Sequence, residues 1–182
     1  MIAWAVIGGL VVVFFLIFTF SLMKVSAESA EVEEAAVREI ESAPKPTWVK
    51  YPVPLEDEIQ QFIGRKCAEY QISPAVVLAV IGTESQYNVN AIGDHGNSFG
   101  LMQIYQSVHR DRMERLGVTN LLNPYQNVTV GIDFLSELLD KDNGLEWALS
   151  FYSGNGGAEC EYAEKVMRLA ECILEGAVVI NG

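Results

Sequence analysis

The stretch Ile81-Gly82-Thr83-Glu84-Ser85-Gln86-Tyr87-Asn88, followed after a glycine-rich loop by Gly100-Leu101-Met102-Gln103-Ile104, decides the reading of this chain. Just upstream, Ser73 is a good N-cap and Pro74 a good first helical residue. Val76, Val77, Val80, Ile81 and Glu84 then recur at helical spacing. That predicts a helix with Glu84 in register with an apolar stripe near its C-terminal end. A carboxyl so placed loses water and meets the negative end of the helix dipole. Both effects raise its pKa toward that of a general acid. A lone glutamate on an amphipathic helix normally points at water; what sets Glu84 apart is the second motif behind it.

Outward from this core, the sequence predicts mostly helix. Residues 55–70 carry Ile59, Phe62, Ile63, Cys67 and Tyr70 on one face. Residues 89–98 hold Gly93, Asp94, His95, Gly96, Asn97 and Ser98, a loop composition with room for a short hairpin. A polar helix is expected over 105–116. Asn123-Pro124 caps another over 124–140, with Val128, Ile132, Leu135 and Leu139 on one face. A short helix over 145–152 and a last helix over 159–175 flank the flexible Ser153-Gly154-Asn155-Gly156-Gly157, and a short apolar tail ends the chain. There is no internal repeat and no long alternating strand, so the expected class is mainly α.

Residues 2–23 are apolar except for Thr19 and Ser21, and about 20 such residues span a bilayer. Two readings compete: a transmembrane anchor over 1–24, or a secretory signal peptide cut after Val25-Ser26-Ala27. The run is longer than a signal core of about 7–15 residues and no basic residue precedes it, which favours the anchor. For the orientation of that anchor, Lys24 on its C-terminal side pulls weakly toward a cytoplasmic domain. Residues 25–50 read as an acidic linker, with Glu28, Glu31, Glu33, Glu34, Glu39 and Glu41 ahead of the stiffening Pro44-Lys45-Pro46. The domain proper is expected over 51–182.

The chain of 182 residues has a net charge of −12, which argues against nucleic acid as a partner. Cys67, Cys160 and Cys172 form no Cys-x-x-Cys pair, and the only histidines are His95 and His109. A structural zinc site takes about four ligands, so no metal and no other cofactor is expected. Cys67 reads as a small buried hydrophobe. His95 and His109 have no partner motif and read as exposed.

Glu84-Ser85, Asn88, Ala91, Gly96 and Gly100-Leu101-Met102-Gln103-Ile104 together resemble the signature of the soluble lytic transglycosylase (SLT) family, in the goose-type lysozyme-like group. Asn127, Gly131, Trp147-Ala148-Leu149, Tyr152 and the tract from Tyr162 to Val166 continue the resemblance in family order, over about residues 55–170. It implies a lysozyme-like helical domain that cleaves the MurNAc–GlcNAc β-1,4 bond of peptidoglycan, here expected behind the single N-terminal transmembrane helix read from the apolar run. The product would be 1,6-anhydro-MurNAc: Glu84 protonates the leaving oxygen, then accepts the proton of the muramic acid 6-hydroxyl. An ordinary glycosidase adds a second carboxylate; Asp94 is nearest in sequence, but in its glycine-rich loop it reads as a turn former. The resemblance places Met102 and Gln103 in the cleft, as an apolar wall and an amide for sugar groups. It sets Tyr152 beside Glu84, its phenol orienting the acid. Ser85, Asn88 and Ser98 complete the expected substrate-binding set.

Two departures stand out. Where many members carry a serine nine residues after the glutamate, this chain has Gly93, with Ser98 the nearest substitute. The family's Ala-Tyr-Asn-Ala-Gly reads Phe151-Tyr152-Ser153-Gly154-Asn155, so its asparagine is displaced or lost. Alternatives stay open: a muramidase using water at the same site, or a non-catalytic wall-binding scaffold of a secretion, conjugation or phage-derived machine. The expected partners are glycan strands, the membrane through the N-terminal segment, and components of a wall-spanning machine. The expected location is the cell membrane, with the domain extracytoplasmic or, after cleavage near Ala27, secreted. The acidic surface offers no electrostatic pull toward an anionic wall, leaving recognition to shape, hydrogen bonds and stacking.

Overall fold

The structure, a computed structural model, describes residues 47–141, 143–158 and 160–180. The expected anchor over 1–24 and the linker as far as residue 46 lie outside the described residues. Among those described, no helix is long and apolar enough to cross a membrane. The elements run β1 (Trp48–Lys50), α1 (Asp57–Tyr70), α2 (Pro74–Ser85), β2 (Ile92–Gly93), β3 (Ser98–Phe99), β4 (Ile104–Tyr105), α3 (Arg110–Arg115), α4 (Pro124–Leu139), α5 (Gly144–Tyr152), α6 (Glu161–Glu175) and β5 (Val178–Ile180). The class is mainly α, as the periodicities predict.

Helix α2 starts where Ser73 and Pro74 indicate, but it has no apolar stripe. Every residue from Ala75 to Ile81 is buried. A helix that is hydrophobic all round belongs inside a core, and α2 lies along α6 with α1 on another flank. Contacts then run from α1 to α4, from α4 to α5 and from α5 to α6, closing a circuit of helices. Helix α4 is set by its own cap: the Asn123 side-chain oxygen accepts from the N–H groups of Tyr125 and Gln126, each at 3.1 Å, and Pro124 occupies the first turn where no donor is missed.

Three expectations change. The helix expected over 105–116 shrinks to Arg110–Arg115, because Ile104–Tyr105 pairs antiparallel with Ser98–Phe99, which pairs in turn with Ile92–Gly93. This small three-stranded tongue carries the loop after Glu84. The apolar tail becomes β5, antiparallel to β1 with Trp48 opposite Ile180. Trp48–Lys50, assigned by composition to the linker, is therefore part of the domain; the ladder supplies what the short segments lack alone.

Candidate active site

Glu84 is the penultimate residue of α2, and the chain turns sharply beyond it. Gln86 and Tyr87 are both left-handed, at φ 52° and 66°, a region that costs non-glycine residues energy. The Tyr87 ring folds back over Gly82, where a Cβ would come within 2.7 Å of the phenol oxygen. The last turn of α2 is thus fixed from both sides.

The Glu84 carboxyl is half-buried, and its Oε1 accepts a hydrogen bond of 2.6 Å from the Tyr162 hydroxyl, on the first turn of α6. Burial pushes the carboxyl up from its ordinary value. The Tyr162 bond pulls it down, the Asp94 charge adds to the rise, and Lys165 opposes it; the rise prevails. Burial and the same carboxylate drive the Tyr162 phenol far up, so it remains a donor. A cleft of about 610 Å³ brings Glu84 together with Asp94, Ser98, Gln103, Tyr152 and His109. A second hollow, of about 540 Å³ between Phe99, Arg110 and Met113, shares none of these six.

Of the residues expected to bind substrate, Gln103, Ser98 and Tyr152 line the cleft; Met102, Ser85 and Asn88 do not. Met102 is 0 % exposed. Its sulfur fills a notch at Gly131, where a Cβ would sit 2.3 Å away, so it is core and not cleft wall. Ser85 is buried and donates to Ile81 O one turn back, at 3.0 Å. Asn88 accepts from the N–H of Asn90 at 3.0 Å and closes a local turn. The Tyr152 hydroxyl donates to Met102 O at 2.9 Å, not to Glu84. The phenol that donates to Glu84 is that of Tyr162, a residue in the tract resembling the family but given no role from sequence.

Gln103 is left-handed at φ 46°. Its Nε2 donates to Gly100 O at 2.9 Å and Ala91 O at 3.3 Å, which leaves Oε1 as its free polar atom. That oxygen lies over Gly93, 2.3 Å from where a Cβ would be. The space of the side chain absent at Gly93 is therefore taken by Gln103. Asp94 shapes its turn with φ 47°, as its loop composition predicts, and its carboxylate accepts from the Ser98 hydroxyl. Asn127 anchors this floor to α4: it accepts from Met102 N at 2.8 Å and donates to Phe99 O at 2.7 Å and Leu121 O at 2.9 Å. Gly100, at φ +72°, is required there, since a Cβ would meet Leu121 O at 2.4 Å.

His109, expected to be exposed, is 6 % exposed and borders the cleft. Its ring packs against Phe134 with centroids 4.6 Å apart and planes tilted by 59°, and Phe134 against Tyr152 at 5.2 Å. Arg112 Nη1 lies 2.8 Å from His109 Nδ1. Burial, then the Arg112 charge, pushes the imidazole down to about 4, against the opposing pull of Glu137. Behind it Asp133 accepts from Arg112 Nε and Arg115 Nη2, each at 2.7 Å, and from Tyr70 at 3.2 Å, while Arg112 also pairs with Glu137. Burial alone would raise the Asp133 carboxyl; the two arginines outweigh it and hold it below its ordinary value.

Residues 61–168 match the family described as Transglycosylase SLT domain. The chain is 36% identical over 112 residues to the "Transglycosylase" of Enterobacteria phage PRD1, a match covering 58% of this chain and 40% of that protein. It is 31% identical over 86 residues to "Membrane-bound lytic murein transglycosylase C" of Histophilus somni (strain 2336), covering 43% of this chain and 23% of the other. Among solved structures, an inactive mutant of the lytic transglycosylase Slt from Pseudomonas aeruginosa superposes with a TM-score of 0.57 over 67% of this chain and 24% of that one. At 16% identity the likeness concerns the fold alone. The matched region is less than half of each of these proteins.

Proposed function

Because the chain belongs to the Transglycosylase SLT domain family, we propose that it is a peptidoglycan lytic transglycosylase in which Glu84 serves as acid and then as base. The observation that carries the reading is a half-buried carboxyl with a raised pKa, in a cleft, hydrogen-bonded by a phenol that stays protonated. Protonated Glu84 gives its proton to the bridging oxygen as the MurNAc C1–O bond breaks. The charge left on the sugar is oxocarbenium-like. The 6-hydroxyl oxygen of the same MurNAc swings over the ring to attack C1 and closes the 1,6-anhydro bridge, and its proton passes to the Glu84 carboxylate. No water is consumed, the acid is restored, and the product ends in 1,6-anhydro-MurNAc. The Tyr162 hydroxyl supports the carboxylate formed between the two transfers, since a charge-assisted hydrogen bond is stronger than a neutral one.

Hydrolysis at the same site is the second reading, and Asp94 is what favours it. Its carboxylate borders the same cleft and acts electrostatically on Glu84, where a glycosidase would keep a second carboxylate. Its bond from Ser98 commits part of it to the turn. A purely wall-binding scaffold would have no use for so specific an arrangement around one acid.

In this reading residues 2–23 anchor the protein in the cell membrane, the acidic linker spaces the domain from it, and the domain faces the wall as a single-pass extracytoplasmic module. The membrane-bound relative accords with such an anchor. Glycan strands are then the partner, with a wall-spanning machine as a further one. Mass spectrometry of purified peptidoglycan digested by the full chain tests the chemistry. Fragments ending in anhydro-muramic acid, one water lighter than their hydrolysed forms, are expected; reducing-end fragments would make the protein a muramidase.

A further inference from the structure

His109 is unusual among the groups around the cleft, because its proton is assigned by its neighbours. A guanidinium can only donate, so the 2.8 Å contact from Arg112 Nη1 makes Nδ1 the acceptor and leaves the ring proton on Nε2. Among the described residues Nε2 has no hydrogen-bond partner. Nor is it sealed from solvent: Thr83 Oγ1 is the one side-chain polar atom among the described residues that is both sealed and unpaired. A side chain that is 6 % exposed therefore keeps one donor open to the surface, and the surface it borders is the cleft.

From this geometry we propose that His109 Nε2–H is a fixed, uncharged donor that takes the carbonyl oxygen of a sugar N-acetyl group and makes the cleft selective for N-acetylated glycan. The inference deepens the transglycosylase reading and rests on it. Three features favour an amide over an anion. The cluster behind His109 sets Arg112 and Arg115 against Asp133 and Glu137, so it carries no net charge. The cleft itself holds the Asp94 carboxylate, which repels another carboxylate. Phe134, packed at a tilt against the imidazole, continues into Tyr152 along the cleft and offers an apolar surface for the methyl group beside the carbonyl. The imidazole stays neutral across the neutral pH range, so it acts by position and not by proton transfer.

The test reads the donor directly and then its energetic effect. In a nitrogen–proton correlation spectrum of the full chain, adding the N-acetylglucosamine tetramer is expected to move the His109 Nε2–H signal downfield. The de-N-acetylated tetramer should leave it in place. In turnover, His109→Phe is expected to lower kcat/KM about tenfold on N-acetylated peptidoglycan, mainly through KM, the loss expected for one such hydrogen bond. It should have little effect on de-N-acetylated wall, and His109→Gln, which keeps a donor near Nε2, should recover most of the loss. An unmoved His109 signal, or an equal loss on both walls without rescue by glutamine, overturns the proposal. Should the parental chain bind the tetramer through His109 yet release no product, the donor stands and the transglycosylase reading falls. Product release without a His109 shift has the reverse meaning.

Discussion

Of two groups lining the cleft, Glu84 ends a helix buried on every face and takes a single described hydrogen bond, from Tyr162. The other, His109, abuts an ion network in which Arg112, Asp133, Arg115 and Glu137 are held by side-chain pairs. Burial acts on both groups and moves both toward the uncharged form, raising the carboxyl and lowering the imidazole. The restraint differs. Glu84 meets a phenol that only donates to it, with the Asp94 and Lys165 charges acting in opposite senses, and none of these assigns its proton to one atom. His109 has a cation on Nδ1, which fixes where its proton stays. In the proposed reading the first arrangement serves proton transfer and the second serves recognition.

Removing the acid should have the largest effect. Glu84→Gln is expected to lower product release by about a thousandfold while the fold persists, since general acid–base groups contribute on the order of 10²–10⁴; a variant digesting wall at the parental rate would end the role given to Glu84. The ionic side should yield next, in stability. Asp133→Ala strands the little-exposed Arg112 guanidinium without its partner and is expected to cost about 3–5 kcal/mol in chemical denaturation, the usual result of halving a buried pair. A loss within a few tenths would mean that Glu137 alone satisfies Arg112.

The imidazole gives the comparison a pH axis. Its folded pKa of about 4 lies below the ordinary 6.5, so the unfolded chain takes up the proton first. Stability from this group is full above 6.5 and is lost as pH falls toward 4, by an amount on the order of 3 kcal/mol. His109→Gln should flatten that slope in melts taken across the window. The smallest effect concerns Tyr162→Phe. Without the phenol the Glu84 carboxyl loses a bond that lowers its pKa, so the alkaline limb of the pH–rate profile should move upward. Turnover should fall by about tenfold, the weight of one hydrogen bond to the acid. A downward move would assign the phenol some other part.

Much of this was legible because it is local. Ser73-Pro74 and Asn123-Pro124 mark helix starts through the backbone, and Glu84 with Gly100-Leu101-Met102-Gln103-Ile104 is a contiguous signal. What escaped depends on partners far along the chain. Met102 is an apolar residue beside a polar one, and nothing near it tells core from cleft; the notch at Gly131 decides. Tyr152 and Tyr162 are both aromatic positions in the matching tract, and only the packing of α6 along α2 gives the acid to the second. The spacing of His109 and Arg112 was readable as a helical i, i+3 pair, but the carboxylate that holds Arg112 is 21 residues away. Strand β5 needs β1, and neither run of three is stable alone.

The pairing of Trp48 with Ile180 gives the domain a further property. First and last strands lie side by side, so the polypeptide path through the described residues is nearly a closed ring. Joining the ends with a short glycine–serine bridge and reopening the backbone at the exposed Gly154–Gly156 loop would preserve every helix contact. The same adjacency means that tension drawn between the two ends acts on one three-residue ladder, whose opening would release the terminal strands while leaving the acid and its phenol in place.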